Sequence, residues 1–240
     1  MQFFGRLASE YEAMFARTLD SFAGCTVLDC PSGPGSFVAE LHQRGAHAIG
    51  VDPLYAQSLE ALMTRGRADV ATTIERMRSG SDAFRDHDFE SYRASKLHAL
   101  DAFAADYELG KAQGRYLAAS LPHLPFADQQ FDCTLSAHLL FTYSDPSTGG
   151  VLTDSPFTAA WHLAAAEELL RVTRHELRLY PTTTRWHTAS RHPLALEIAA
   201  HFTQQGHAVH FAPSTFARGN DANDPHNACM VVTRGGASPR

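Results

Sequence analysis

The stretch that decides the fold is VLDCPSGPG (residues 27–35), followed after one short helix pattern by VDP (51–53). An apolar run ends at Asp29 and Cys30, and a turn containing Gly33 and Gly35 opens into SFVAELHQRG. That segment reads as a helix, with Phe37, Val38 and Leu41 on one face and Gly45 as its stop. AHAIGV (46–51) reads as a second strand, so the whole is a βαβ unit. Glycines at such a turn let a ligand approach the backbone, and the helix N-terminus behind them favours an anionic group. Asp52, at the end of the second strand, can accept two hydrogen bonds from ribose hydroxyls. The unit therefore predicts a site for a nucleoside carrying a charged group.

The pattern continues outward from this unit. Upstream, Leu7, Tyr11, Met14, Phe15 and Leu19 fall at helical spacing, which predicts one amphipathic helix over 6–20 that ends at Gly24. Residues 54–112 are helix-rich, more charged, and far longer than an ordinary βαβ connection, with a break at 79–81. They read as a helical insertion between strands two and three that forms a lid. RYLAA (115–119) and FDCTLSA (131–137) read as strands three and four, and 158–173 as a helix. HELRLY (175–180) reads as strand five and 192–206 as a helix. HAVHFAP (207–213) and ACMVVTR (228–234) read as a closing strand pair. The alternation predicts one α/β domain over 1–240, a doubly wound, Rossmann-like seven-stranded sheet, mostly parallel, with an antiparallel C-terminal edge. Residues 144–156 and 214–227 read as loops, and the last six as a frayed tail.

Composition narrows the function classes. Twenty basic and 26 acidic residues give a net charge of −6, and only Lys96 and Lys111 are lysines. No basic cluster is present to follow a phosphate backbone, so nucleic acid is not the expected partner. The four cysteines, Cys25, Cys30, Cys133 and Cys229, form no CxxC pair, and three lie in apolar runs. They read as buried hydrophobes of a reducing compartment. The first residues carry no signal-peptide pattern, and no run approaches the ~20 apolar residues of a membrane span. The expectation is a cytoplasmic, soluble monomer or homodimer. Fourteen histidines invite a metal centre, but no HxxxH or HExxH falls on a helix pattern, and His207 and His210 would face opposite sides of a strand. No metal is expected, and without GxSxG no serine triad.

Two cofactors suit the turn. A dinucleotide wants a third small residue, and Val38 stands in that place. S-adenosylmethionine needs no pyrophosphate cradle. Here the chain resembles the class I S-adenosylmethionine-dependent methyltransferases of the small-molecule type (type 11/12-like). VLDCPSGPG is similar to their VLDLGCGTG-like turn, and VDP to the acid ending their second strand. LPHLPFADQQFDCTLSAHLL (121–140) is similar to their LPFPDGSFDLV block, and HLAAAEELLRV (162–172) to the helix that follows it.

The resemblance implies a set of site residues. Asp29, Ser32, Gly33 and Gly35 would hold the methionine end, Asp52 with Pro53 the ribose, and Ser120 and Leu121 the adenine. Ser136 and His138 would face the methyl group, with His138 as a proton acceptor and Tyr143 positioning the acceptor. Tyr11 lies on a helix of the kind that closes over the cofactor in such proteins; apart from the resemblance, Tyr92 and Arg93 of the insertion are read as touching substrate with it, Arg93 as a bidentate carboxylate clamp. Three positions depart from the pattern: Pro31 replaces the first glycine, Ser120 an acidic residue, and VTRHE lacks the usual Pro-Gly-Gly. Rival readings are a nicotinamide oxidoreductase, a nucleic-acid or protein methyltransferase, and a cofactor-binding module without activity. The oxidoreductase lacks its third glycine and a Tyr-x-x-x-Lys pair. The base methyltransferase lacks an Asn/Asp-Pro-Pro-aromatic tetrad, since SAHLLFTY stands there.

Overall fold

The computed structural model describes residues 2–79, 88–184, 190–216 and 224–236. Seven strands form one sheet: β1 (Thr26–Asp29), β2 (His47–Val51), β3 (Tyr116–Leu117), β4 (Phe131–Ala137), β5 (Thr173–Tyr180), β6 (Ala208–Pro213) and β7 (Ala228–Thr233). Their order is β3-β2-β1-β4-β5-β7-β6. The first five pair in parallel, and β7 runs antiparallel to both β5 and β6. The doubly wound sheet and its antiparallel edge are as the sequence implies. The chain enters at β1, moves outward one way to β3, then returns past β1 to β4. The gap between the carboxyl ends of β1 and β4 is therefore the topological switch point, where open α/β sheets take their ligands.

Both faces of the sheet are covered, and strand alternation divides the core between them. On one face Cys133, Leu135 and Ala137 of β4 and Cys229 and Val231 of β7 pack with α1 (Ala8–Phe15), α2 (Phe37–Gln43) and α4 (Phe89–Ala112). On the other, Leu177 and Leu179 of β5 and Met230 and Val232 of β7 pack with α5 (Ala159–Val172) and α6 (Pro193–Gln204), joined by Phe131 of β4, which a register irregularity before Cys133 turns to this face.

Some elements differ from the expectation. The helix foreseen over 6–20 is two pieces. Ala16 adopts φ 49° and ends α1, and a 3₁₀ turn, Leu19–Phe22, follows. The Glu12 carboxylate accepts the Leu19 amide at 2.7 Å, so a side chain there takes over from helical bonding. β3 shrinks to two residues. β5 begins two residues early, directly after α5. Residues 80–87, which hold most of the break foreseen at 79–81, and the tail residues 237–240 lie outside the described residues, as does 217–223 of the second loop. No helix among the described residues is long and apolar enough to cross a membrane.

The segment between β2 and β3 is a helical hairpin, α3 (Leu59–Ser79) and α4. Its inner helix is fixed firmly to the sheet edge. Ala99, Leu100, Phe103 and Tyr107 of α4 are buried. Phe103 and Tyr107 meet Tyr55, just past β2, and Tyr116 of β3 at ring-centroid distances of 5.4–5.7 Å, and each other at 4.8 Å. At Gly66 of α3 a Cβ would lie 2.9 Å from Leu100, so the two helices touch closely there. Removing the Phe103 ring should therefore cost about 3–5 kcal/mol. Urea unfolding of Phe103→Ala measures this; a loss below about 1 kcal/mol would mean that the hairpin docks independently of the sheet.

Candidate functional site

The turn after β1 is held from three sides. The Cys30 amide donates to Leu135 O at 3.0 Å and the Ser32 amide to Val51 O at 2.9 Å, which ties the turn to both neighbouring strands. From below, the Tyr55 hydroxyl donates to Gly33 O at 2.5 Å. Gly33 has φ 56°, a left-handed conformation, with open space where a Cβ would project. From above, an N-terminal strap (residues 2–7) crosses the turn. A Cβ on Gly5 would fall 1.9 Å from Pro34 O, and one on Gly35 would fall 3.1 Å from Arg6 O. The Ser36 amide donates to Arg6 O at 3.0 Å, and the Ala8 amide to Ser36 Oγ at 2.9 Å. Gly35 therefore makes room for the strap, while Gly33 opens toward the cavity.

That cavity has a volume of about 580 Å³ and lies at the switch point. Of the residues named from sequence, Ser32, Gly33, Asp52, Pro53, Ser120, Leu121, His138, Tyr143, Tyr11 and Tyr92 line it. Asp29, Gly35, Ser136 and Arg93 do not. Ser136 is buried in β4, and its Oγ has no hydrogen-bond partner among the described residues. Arg93 is half exposed and 4.0 Å from Glu90, so the carboxylate clamp foreseen for it is not in the cavity wall.

Two acids flank the turn. Asp52 closes β2; its Oδ1 accepts the Leu54 amide at 2.9 Å and so caps the 3₁₀ turn Pro53–Ala56. Burial raises its pKa, against hydrogen bonds from the Leu54 and Gly33 amides. Asp29, only 1% exposed, accepts the Tyr11 hydroxyl on Oδ2 at 2.9 Å. Its Oδ1 has no partner among the described residues. Tyr11 itself is stacked on Phe37 at 4.1 Å. An orphaned, buried carboxylate oxygen beside a glycine turn is a feature that a ligand ammonium would satisfy.

Across the cavity stands the end of β4. His138 has φ 57°, uncommon for a residue with a side chain, and its amide donates to Tyr180 O at 2.7 Å. Its ring meets Tyr180 edge-on at 5.5 Å and lies 6.4 Å from Phe216. Tyr143 follows in the same loop, its pKa raised by burial and its hydroxyl bonded to the Gln2 backbone of the strap. The loop is pinned from beneath by a buried chain: Leu194 amide to His192 Nδ1 at 3.2 Å, His192 Nε2 to Ser144 Oγ at 2.9 Å, and Ser144 Oγ to Phe141 O at 2.8 Å. With Nδ1 accepting, Nε2 carries the proton. Burial, and then the neighbouring His162, push the His192 pKa down to about 4, so this ring stays neutral at neutral pH.

Several lining residues carried no signal in the sequence. Phe157 and Trp161 pair at 4.4 Å and, with Leu139, Val151 and Phe216, form an apolar wall. Arg6 and Glu10 come from the strap and α1, and Arg65, Thr73 and Met77 from α3. Only spatial proximity assembles them. Among the described residues no group of three or more His, Cys, Asp or Glu side chains is gathered for a metal ion.

No family model matches the chain. An uncharacterised protein of Methanocaldococcus jannaschii is 25% identical over 181 residues, which covers 74% of this chain and 76% of that protein. An uncharacterised methyltransferase of Mycobacterium sp. strain JLS is 28% identical over 178 residues, 72% of this chain. The match spans just under half, 46%, of that mycobacterial protein. Among solved structures, a S-adenosylmethionine-dependent methyltransferase from Aquifex aeolicus superposes with a TM-score of 0.43 at 16% identity, covering 93% of this chain and 91% of that one. The magnesium protoporphyrin IX methyltransferase of Synechocystis PCC 6803, solved with its methyl donor bound, gives 0.43 at 14% identity, covering 89% and 72%. The strand order and the β7 reversal define an open, doubly wound α/β sheet with an antiparallel edge.

The buried acid gives a pH signature. Burial lifts the Asp29 pKa from 3.8 to about 7, against hydrogen bonds from Ser32 and Tyr11, and the Asp52 charge adds to the rise. The folded protein then holds a proton that the unfolded chain releases between about pH 4 and 7. That contribution to stability is present below the ordinary carboxylate pKa and is lost as pH rises through about 7. Asp29→Asn keeps the neutral form throughout. Melting temperatures should show the variant gaining on wild type as pH rises from about 4 to about 7, whereas a flat difference would contradict the assignment.

Proposed function

We propose that this chain is a S-adenosylmethionine-dependent methyltransferase acting on a small-molecule acceptor. The observation that carries the reading is the placing of Gly33 and Asp52 at one cavity end at the switch point, with Asp29 buried behind the turn and its Oδ1 without a partner among the described residues. When bound, S-adenosylmethionine supplies a methyl group on a sulfonium, activated by its own leaving group. The chain's residues then have to bind, orient, exclude water and accept a proton.

Each end of the cofactor has a fitting set of residues. Ser32 and Gly33, with Asp29 behind them, suit the methionine end, where the orphaned Oδ1 matches an ammonium. Asp52 suits the ribose hydroxyls, since capping the 3₁₀ turn still leaves it acceptor capacity. Ser120 and Leu121, after β3, suit the adenine. On the acceptor side, His138 is held by its backbone bond to Tyr180 and faces the cavity. A neutral imidazole there takes the proton of an O–H, N–H or S–H acceptor as the methyl arrives. Tyr143 and Tyr92 border the same space. The apolar wall of Leu139, Val151, Phe157, Trp161 and Phe216 favours a compact, apolar acceptor, and the net charge of −6 disfavours nucleic acid. The strap and the α3–α4 hairpin form the lid side of this cavity. The expected setting is the cytoplasm, without a metal.

Two variants test the assignment. Asp52→Ala should weaken S-adenosylhomocysteine binding about 10- to 100-fold, as expected for lost hydrogen bonds to a charged group. Unchanged affinity would remove Asp52 from the site. Once an acceptor is found, His138→Ala should lower kcat about 10²- to 10⁴-fold and remove the acid-side limb of its pH dependence, with cofactor affinity retained. A variant with full kcat would show that no base acts there.

A further inference from the structure

The loop that follows β4 turns its side chains two ways. His138, Leu139, Thr142 and Tyr143 line the cavity, and Val151 joins them where the loop returns. Phe141 and Ser144 do not line it; Phe141 belongs to the core beneath α5 and α6, and Ser144 is buried against its carbonyl. His138 and Phe141 have φ of 57° and 66°. Two left-handed residues with side chains, three positions apart, cost the loop free energy, so contacts outside it have to hold its shape.

The holding group comes from α6. His192 caps that helix through Nδ1, which accepts the Leu194 amide. Nε2–H is then left to donate to Ser144 Oγ at 2.9 Å, and Ser144 Oγ donates in turn to Phe141 O at 2.8 Å. The Phe141 ring packs on the imidazoles of His192, at 5.5 Å, and of His162 in α5, at 6.0 Å. A Cβ on Gly150 would fall 2.0 Å from Ser144 O and 2.4 Å from its Oγ, so the returning limb of the loop closes over the pair. There the Val151 amide donates to Thr142 O at 2.9 Å and the Leu152 amide to Ser144 O at 3.2 Å. Ser144 and His192 are 1% and 0% exposed, and neither lines the cavity. Their hydrogen bond therefore acts on a bound ligand only through the loop.

We propose that His192 and Ser144 are positioning residues for methyl transfer: their bond sets the loop over residues 138–151, and with it His138 and Tyr143, at the acceptor end of the cavity. The role in transfer rests on the function proposed above, whereas the pin itself does not. The proposal also accounts for a histidine at the α6 N-cap. Asn, Asp or Ser caps a helix at least as well, but none carries a second group that reaches the loop.

The test is fluorine NMR of the full chain labelled with 3-fluorotyrosine, beside calorimetric titration with S-adenosylhomocysteine. Two cavity tyrosines report its two ends: Tyr143, bonded to the Gln2 backbone, and Tyr11, bonded to Asp29. Tyr143→Phe and Tyr11→Phe assign their resonances. His192→Asn keeps an acceptor for the Leu194 amide and is too short to reach Ser144; His192→Gln keeps a donor in the place of Nε2–H. The Asn variant should shift or broaden the Tyr143 resonance, leave that of Tyr11 in place and bind S-adenosylhomocysteine within about twofold of wild type. The Gln variant should restore the wild-type Tyr143 resonance. Ser144→Ala, which breaks the same bond from the other side, should repeat the Asn result and serves if that variant fails to fold. An unmoved Tyr143 resonance in the Asn or Ala variant overturns the proposal. Equal displacement in Asn and Gln, or displacement of Tyr11 with loss of S-adenosylhomocysteine affinity, also overturns it, by reducing His192 to a support of the fold. Failure of wild type to bind S-adenosylhomocysteine overturns the proposed function and the role in transfer with it, while the fluorine spectra still decide whether the pin sets the loop.

Discussion

The glycine turn is squeezed between two supports, and the rest of the site depends on that contact. Tyr55 holds Gly33 O from one side, and the strap lies on Pro34 and Gly35 from the other. Tyr55 is itself locked by the aromatic group of Phe103, Tyr107 and Tyr116, and its carbonyl accepts from Tyr107 and Lys111. The turn is thus set by the hairpin α3–α4 as much as by the sheet. A region that sequence length alone would mark as an insertion is structurally part of the site.

The same contact organises the electrostatics. Because the strap seals the turn, Asp29 is removed from water, and its proton affinity rises. Because α1 follows the strap directly, Glu10 meets both Arg6 and Lys96. Across the cavity the wall is largely apolar and aromatic, with His138 and Tyr143 among its lining residues.

Much of the fold was legible because its signals are periodic and local. The strand alternation of FDCTLSA, the glycine turn and the acid after β2 each place one element without tertiary information. The β3 run was read too long because pairing with β2, rather than propensity, sets its length. The end of α1 was missed because the Glu12 side chain takes the Leu19 amide, a choice no periodicity encodes. In the site, residues anchored on the turn or on strand ends could be named from sequence. Arg6, Phe216 and Trp161 could not, since they converge from three distant segments. Arg93 and Ser136 lie outside the cavity lining, because chain position does not fix where a side chain points.

The central claim is that this cavity holds a sulfur-linked adenosyl cofactor. Calorimetric titration of the purified protein with S-adenosylmethionine, S-adenosylhomocysteine and NADPH tests it most directly. The account predicts about micromolar binding of the two sulfur ligands and none of the nicotinamide. Binding of NADPH alone, or of no ligand, would contradict it and leave the glycine turn as a structural element of another α/β protein.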